Sequence, residues 1–386
     1  MKISTIIAIW VAAAVLGYAG PAGAKPFFEQ NYVYVAGQDN VHTYRIPAIT
    51  VSIKGTVLVF CEARKQSSRD QSPTDLVLKR SFDNGRVWEP IQTLVAGKGR
   101  DAIMNPCVLI DRSDGTIFLI CINVHSKKRV LLLKSTDDGG TWSEPEDITS
   151  QINVEKFVSG PGVAIQLRSG RFVVPGYCGT YDRKTRKGLY SMVVYSDDHG
   201  RIWHAGAKVN DYTNESQVVE LTDGRLMLNM RSNREQSCRA VAISEDGGGN
   251  FSPVYDDRNL NECPCQASFI RYSPAGKDGK NRLLFSNPDI AGPRHGAAKR
   301  EKMTIRVSYD EGKSWPVSKL IHSGPSAYSG LAIAGDGSIL CVYEGGEIHP
   351  REWVRLARFN IEWLTDGQDS FVESGGKQTK SSFDEN

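Results

Sequence analysis

The first residue whose type and setting point to chemistry is Arg45, in Tyr44-Arg45-Ile46-Pro47, just ahead of a proline that fixes the local backbone. Guanidinium groups stay protonated and bind carboxylates through charge-assisted, often bidentate hydrogen bonds. Several of them converging would therefore form a carboxylate clamp. Taken singly, Arg45 carries little weight, because most arginines only solvate a surface. Its meaning depends on what the rest of the chain builds around it.

That framework is a repeated turn. STDDGGTW at 135–142 has four relatives: SFDNGRVW at 81–88, SDDHGRIW at 196–203, SEDGGGNF at 244–251 and SYDEGKSW at 308–315. Each keeps Ser, then Asp two residues on, Gly two further, and an aromatic at the end. Each also follows an apolar, β-branched run, which predicts a strand ending in a tight turn. In such a turn the Asp accepts backbone N–H bonds, the Gly supplies positive φ, and the aromatic buries the loop. The copies start 48 to 64 residues apart. A period of roughly 40–55 residues with about four short strands belongs to β-propeller blades. A body from Tyr32 to about Leu364 predicts an all-β, six-bladed β-propeller, with one blade lacking its turn copy. Segments 32–36 and 354–361 are expected to pair within one blade and close the ring.

Residues 1–24 carry one lysine, an apolar run over 6–16 and a small-residue end, Ala22-Gly23-Ala24, the pattern of a cleavable secretory signal. The run is too short for a membrane span, so no stable membrane insertion is expected. Residues 25–366 form the catalytic body, and the polar stretch 367–386 is expected to be a disordered tail. The chain has 47 basic and 44 acidic residues, a formal charge of +3, so charge names no partner. No basic run with interleaved aromatics argues for nucleic acid. Of eight cysteines, Cys61, Cys121 and Cys341 sit in apolar strand-like runs and are expected to be buried thiols. Cys263 and Cys265, in NECPCQ, are expected to be exposed. No second Cys or His pair stands at ligand spacing for a metal.

Arg-Ile-Pro followed by several Asp-box turns resembles the exo-α-sialidase (neuraminidase) family, over 32–364. The resemblance implies cleavage of terminal α-linked sialic acid on glycans, glycoproteins or glycolipids, and three arginines on the sugar carboxylate. Arg45 matches the first, Arg231 in LNMRSN the second, and Arg300 in KREKMTIRVSYDEG the third, with Arg294 and Arg306 nearby. Arg306, inside the strand, would ordinarily be an outward salt-bridge partner. Asp70, in the loop KQSSRDQSPT, matches the general acid/base; Asp75 competes but abuts a strand. An Asp must be raised in pKa to donate near neutrality, and loop closure over the sugar would do that. Arg64 in CEAR matches another pocket arginine, and Met104, in Met-Asn-Pro-Cys, the lining for the N-acyl group.

Tyr328 and Glu215 match the nucleophile and its base. A free tyrosine, with pKa of about 10, is a poor nucleophile at pH 7 unless a carboxylate takes its proton. A neutral phenol also avoids repulsion by the carboxylate on the anomeric carbon, and sialidases are the glycosidases that use tyrosine. Glu344 in CVYEGGE matches a glutamate that orients Arg45. Ser216 stands where many relatives carry cysteine. The implied protein is a secreted or periplasmic retaining exo-sialidase without cofactor. Alternatives are a trans-sialidase, or a sialic-acid-binding propeller lacking catalysis, which would not need Asp70, Glu215 and Tyr328 together.

Overall fold

The computed structural model describes residues 24–124, 128–182, 187–209, 212–232, 234, 236–273, 280–291 and 299–371. They form an all-β, propeller-like fold of antiparallel sheets, with two helices of four residues each, Thr149–Ile152 and Ile361–Leu364. The first sheet is a meander of Thr43–Val51, Val57–Arg64, Thr74–Ser81 and Gln92–Val95. The second runs Ile103–Ile110, Ile117–Asn123, Arg129–Ser135 and Glu146–Asp147, with Gly162–Val163 added in parallel to its first strand. The third holds Phe172–Gly179, Leu189–Ser196 and His204–Lys208, flanked by Val158–Ser159 and Ile165–Gln166. The fourth is Thr213–Glu220, Leu226–Ser232, Cys238–Ser244 and Tyr255–Asn261.

The fifth sheet has seven strands: Ser268–Ser273, Arg282–Pro288, Glu301–Ser308, Val317–Ile333, Ile339–Gly345, Trp353–Phe359 and, last, the N-terminal Phe28–Val35. Val317–Ile333 is long because its first part pairs with Glu301–Ser308 and its second with Ile339–Gly345. Tyr32 lies opposite Arg355, so the chain's first and last strands do share one sheet. The last strand stops at Phe359 rather than 361: Asn360 caps the short helix, accepting from Trp363 N–H at 3.1 Å.

The apolar core lies between consecutive sheets. Leu58 and Leu76 of the first mesh with Leu119 and Leu133 of the second, and Val173 and Val193 of the third with Leu226 and Ala240 of the fourth. The Asp boxes seal these seams. In every copy the Ser Oγ accepts the Gly N–H at 2.8 or 2.9 Å, and an Asp Oδ1 accepts one or two N–H groups further on. Gly139 has φ 78°, and a Cβ there would stand 2.5 Å from Leu58 of the preceding sheet; Gly200 meets Phe118 in the same way. The glycine is thus demanded twice, by its backbone angle and by the neighbouring sheet.

One expectation is corrected. Within the stretch assigned to a disordered tail, Asp369 is packed: it is 3% exposed and pairs with Arg282 at 2.7 Å, and Phe371, though partly exposed, lies against Gly337. A buried guanidinium needs a counter-ion, and the chain end supplies it. The rest of that stretch, 372–386, and residues 1–23 of the expected secretory signal lie outside the described residues.

Candidate active site

Four sheets contribute a strand whose pairing slips at one end: between Arg45 and Ala48, Met104 and Cys107, Thr213 and Ser216, and Ser326 and Ser329. A bulge turns side chains out of the pleat. Here the slips leave Glu215 and Tyr328 themselves out of register and lie directly after Arg45 and Met104, each near the start of the pairing with the next strand. The Asp boxes sit at the other end: Ser81 pairs with Val57, whereas Arg64, near the site, pairs with Thr74.

Arg45 is 4% exposed and held by Glu344, with Nε to Oε1 and Nη2 to Oε2 both at 3.0 Å. Ile46 sits at φ 55°, a strained angle for a β-branched residue, and its N–H donates to the same Glu344 Oε1 at 2.7 Å. Burial would push the Arg45 guanidinium down, but Glu344 and then Tyr328 hold it above its ordinary value.

Arg64 is fully buried. It donates to Glu62 Oε2 from Nε at 3.0 Å and Nη2 at 2.7 Å, and to the Ser68 carbonyl from Nη1 at 2.7 Å. The same Nη1 meets Asp70 Oδ1 at 2.8 Å, with Arg45 Nη1 at 3.9 Å. The Asp70 carboxylate is 68% exposed, so the burial expected of a closed loop is not present in this form. Glu62, which sequence reasoning missed, also accepts Asn105 N–H at 2.9 Å and ties the Met104 strand to Arg64. Burial pushes its carboxyl up against the pull of Arg64.

Tyr328 is 6% exposed and donates its OH to Glu215 Oε1 at 2.5 Å. Arg231 Nη1 donates to Glu215 Oε2 at 2.6 Å and to Tyr328 OH at 3.2 Å. Burial, then the Glu215 charge, push the phenol well above its usual value, while Arg231 and Arg300 pull it back. The guanidiniums of Arg45 and Arg300 stand 5.2 and 5.7 Å from the centre of the Tyr328 ring. Arg300 is steadied by the Pro264 carbonyl. The chemistry available is a phenol whose proton has a carboxylate to go to, ringed by three arginines, with an exposed acid, Asp70, beyond Arg45.

Residues 42–341 match the BNR repeat-like domain family. The chain is 34% identical to a sialidase of Micromonospora viridifaciens over 94% of its own length, and spans 58% of that relative. Among solved structures, a Hadza microbial sialidase superposes with a TM-score of 0.77 at 30% identity, covering 87% of this chain and 69% of that one. The chain belongs to the sialidase family. An intramolecular trans-sialidase from Ruminococcus gnavus, at 18% identity and TM-score 0.71 over 87% of this chain and 98% of that one, shares the fold.

Within this sialidase-family chain the structure gathers Arg45, Arg64, Asp70, Glu215, Arg231, Arg300, Tyr328 and Glu344. Met104, 8% exposed, directly precedes the slip in its strand, next to Asn105, which is bound to Glu62. Asp75 is instead occupied by Gly97 N–H and Lys65, both within 2.8 Å. Arg294 lies outside the described residues. Arg306 does not face outward: it is 5% exposed and pairs with Asp289 at 2.6 Å, because its strand is covered on both faces. Cys263 and Cys265 are buried rather than exposed, packed with Ile46, Ala327 and Tyr328 beneath the site, and all eight cysteines are free. Ser216 is buried and donates to the Gly176 carbonyl at 3.1 Å. Tyr177 was also missed. Burial and the Glu215 charge raise its phenol, which marks it as a neighbour of the Tyr328–Glu215 pair.

Proposed function

We propose that the chain is an exo-α-sialidase that hydrolyses terminal α-linked sialic acid from glycoconjugates with retention, through a covalent tyrosyl intermediate. The observation that carries the proposal is the 2.5 Å hydrogen bond from Tyr328 to Glu215, with Arg231 bridging both. A buried tyrosine needs one acceptor; this one has a carboxylate and an arginine as well, which is what a phenol that must lose its proton during attack requires. Arg231 Nε is buried and has no partner among the described residues, a donor left open for a substrate carboxylate.

In this reading Arg45, Arg231 and Arg300 bind the sugar carboxylate, and Glu344 keeps Arg45 aimed. Tyr328 attacks the anomeric carbon as Glu215 takes its proton, while Asp70 protonates the departing oxygen. Water then attacks the anomeric carbon as Asp70 takes its proton, the bond to Tyr328 breaks, and the phenol regains its proton from Glu215, so the sugar leaves with its configuration retained. Arg64 and Glu62 hold Asp70 and the Met104 strand in register. No metal or organic cofactor is required by these steps. Six blades follow if the seven-stranded sheet counts as two, divided within Val317–Ile333. Export to the periplasm or medium follows from residues 1–24, and 25–366 make up the catalytic unit.

The test is release of 4-methylumbelliferone from its α-sialoside by wild type and by Tyr328→Phe. Turnover by wild type that collapses in the variant, with an unchanged melting temperature, supports the reading. Tight sialoside binding without turnover would leave a sialic-acid-binding propeller. The shared fold of the intramolecular trans-sialidase favours transfer as the second reading, and product analysis separates free sialic acid from an anhydro or transferred form.

A further inference from the structure

Arg351 stands just ahead of the strand Trp353–Phe359, half-buried beside the acid loop. Its Nη1 donates to Ser68 Oγ at 3.0 Å, two residues from Asp70. Among the described residues no carboxylate pairs with it, because those nearby are committed elsewhere. Glu344 serves Arg45, Glu62 and Asp70 serve Arg64, and Glu352 accepts the N–H groups of Glu347, Ile348 and His349. Arg45, Arg64 and Arg300 act on it as like charges, against the opposing charge of Glu344. Burial first, and Arg45 next, hold its guanidinium below the usual arginine value. A cation kept among cations with open donors is unfavourable until an anion arrives.

The sugar carboxylate already has Arg45, Arg231 and Arg300 in this reading, whereas Arg351 is tethered to Ser68 in the loop that carries Asp70, where the leaving oxygen is protonated. We infer that Arg351 recognises the leaving group. It binds an oxyanion carried by the unit next to the terminal sialic acid, so that sialosides with a carboxylate or sulfate on that unit are preferred over neutral ones. This rests on the sialidase reading for its placement of the leaving group.

The experiment compares kcat/KM for 3′-sialyllactose, a terminal α2-8-linked disialyl-lactose and a sialoside sulfated on the penultimate sugar. Each is measured with wild type, Arg351→Ala, Arg351→Lys and Ser68→Ala, after melting curves establish folding. Wild type should favour the charged aglycones. Arg351→Ala should lower the charged-to-neutral ratio about tenfold or more, the size of one charge-assisted hydrogen bond, and Arg351→Lys should keep most of it. Ser68→Ala, which cuts the tether but spares the guanidinium, should retain the ratio while lowering turnover. Preference confined to the disialoside or to the sulfated sugar identifies the oxyanion. No preference in wild type, or an equal loss by Arg351→Ala on all three, would overturn the inference and leave Arg351 as a clamp on the acid loop. Should wild type fail on 4-methylumbelliferyl sialoside, the hydrolase reading falls by itself. The same ratios are then read as calorimetric affinities, where a preference lost in Arg351→Ala supports the recognition role and its absence refutes it.

Discussion

Replacing Glu344 by alanine tests whether the arginine clamp is aimed by a buried carboxylate. Glu344 is 0% exposed and receives Arg45 through two bonds of 3.0 Å and Ile46 N–H through one of 2.7 Å. Its loss leaves Arg45, 4% exposed, with the solvent-exposed Asp70 at 3.9 Å as its remaining ion-pair partner among the described residues, which costs about 3–5 kcal/mol. The upper half applies, because Ile46 N–H is orphaned as well and its φ of 55° loses the bond that holds it. Spread over roughly 350 ordered residues at about 2 cal/mol/K each, the unfolding entropy is ~0.7 kcal/mol/K, so a loss of about 4 kcal/mol lowers the melting temperature by ~6 °C. Scanning calorimetry reads this directly, and KM for a sialoside should rise as the Arg45 guanidinium loses its aim. Glu344→Gln, which keeps shape and one acceptor, should fall between the two. A melting temperature within about 1 °C of wild type, together with an unchanged KM, would refute the argument.

The Asp boxes should make the fold acid-labile in a defined window. Backbone N–H donors, Thr141 for Asp137 and Asn250 for Asp246, hold both carboxylates down from 3.8 to about 2. A depressed folded pKa means stability present above the unfolded value and lost as pH falls through the folded one. Urea midpoints should therefore drop between pH 4 and pH 2, and the double variant Asp137→Asn, Asp246→Asn should flatten that drop; identical slopes would sink the idea. Asp369→Ala should cost several times more than Asp366→Ala, because it removes a buried partner of Arg282, whereas the exposed pair of Asp366 with Lys319 is worth under about 1 kcal/mol. Equal melting temperatures for the two would show that the chain end does not brace the sheet.

What was legible in the sequence was what local pattern dictates. The Asp boxes repeat because each must turn the chain and fit against the preceding sheet, so Ser, Asp and Gly are fixed by hydrogen bonds within a few residues. Arg45 was legible because the proline beside it marks a special backbone. Glu62 was not, although it lies two residues from Arg64 on the same face of its strand. Every residue of Val57–Arg64 is buried, so the strand offers no polar–apolar alternation to set the pair apart. Cys263 and Cys265 misled for the opposite reason: their Pro-containing loop has a surface composition, and only the fold reveals that it is tucked under Tyr328. Arg306 and Asp369 were misjudged because a buried ion pair between distant segments leaves no local mark in either.

The repeated bulge explains how a fold built from regular strands can present such an irregular site. A strand alternates its side chains between two faces, and in a stack of sheets both faces are core. Polar groups on an unbroken inner strand would be driven into that core. A slip in register at Arg45–Ala48, Met104–Cys107, Thr213–Ser216 and Ser326–Ser329 frees one short segment per strand from the alternation. Such strain persists only where the surroundings over-determine it. Glu344 does so at Ile46, and Glu62 at Asn105, which sits at φ 57° and donates its N–H at 2.9 Å. The two glutamates that hold Arg45 and Arg64 are thus the same two that hold the bent backbone. Charge placement and chain geometry are fixed by one set of bonds, and removing either glutamate should loosen both at once.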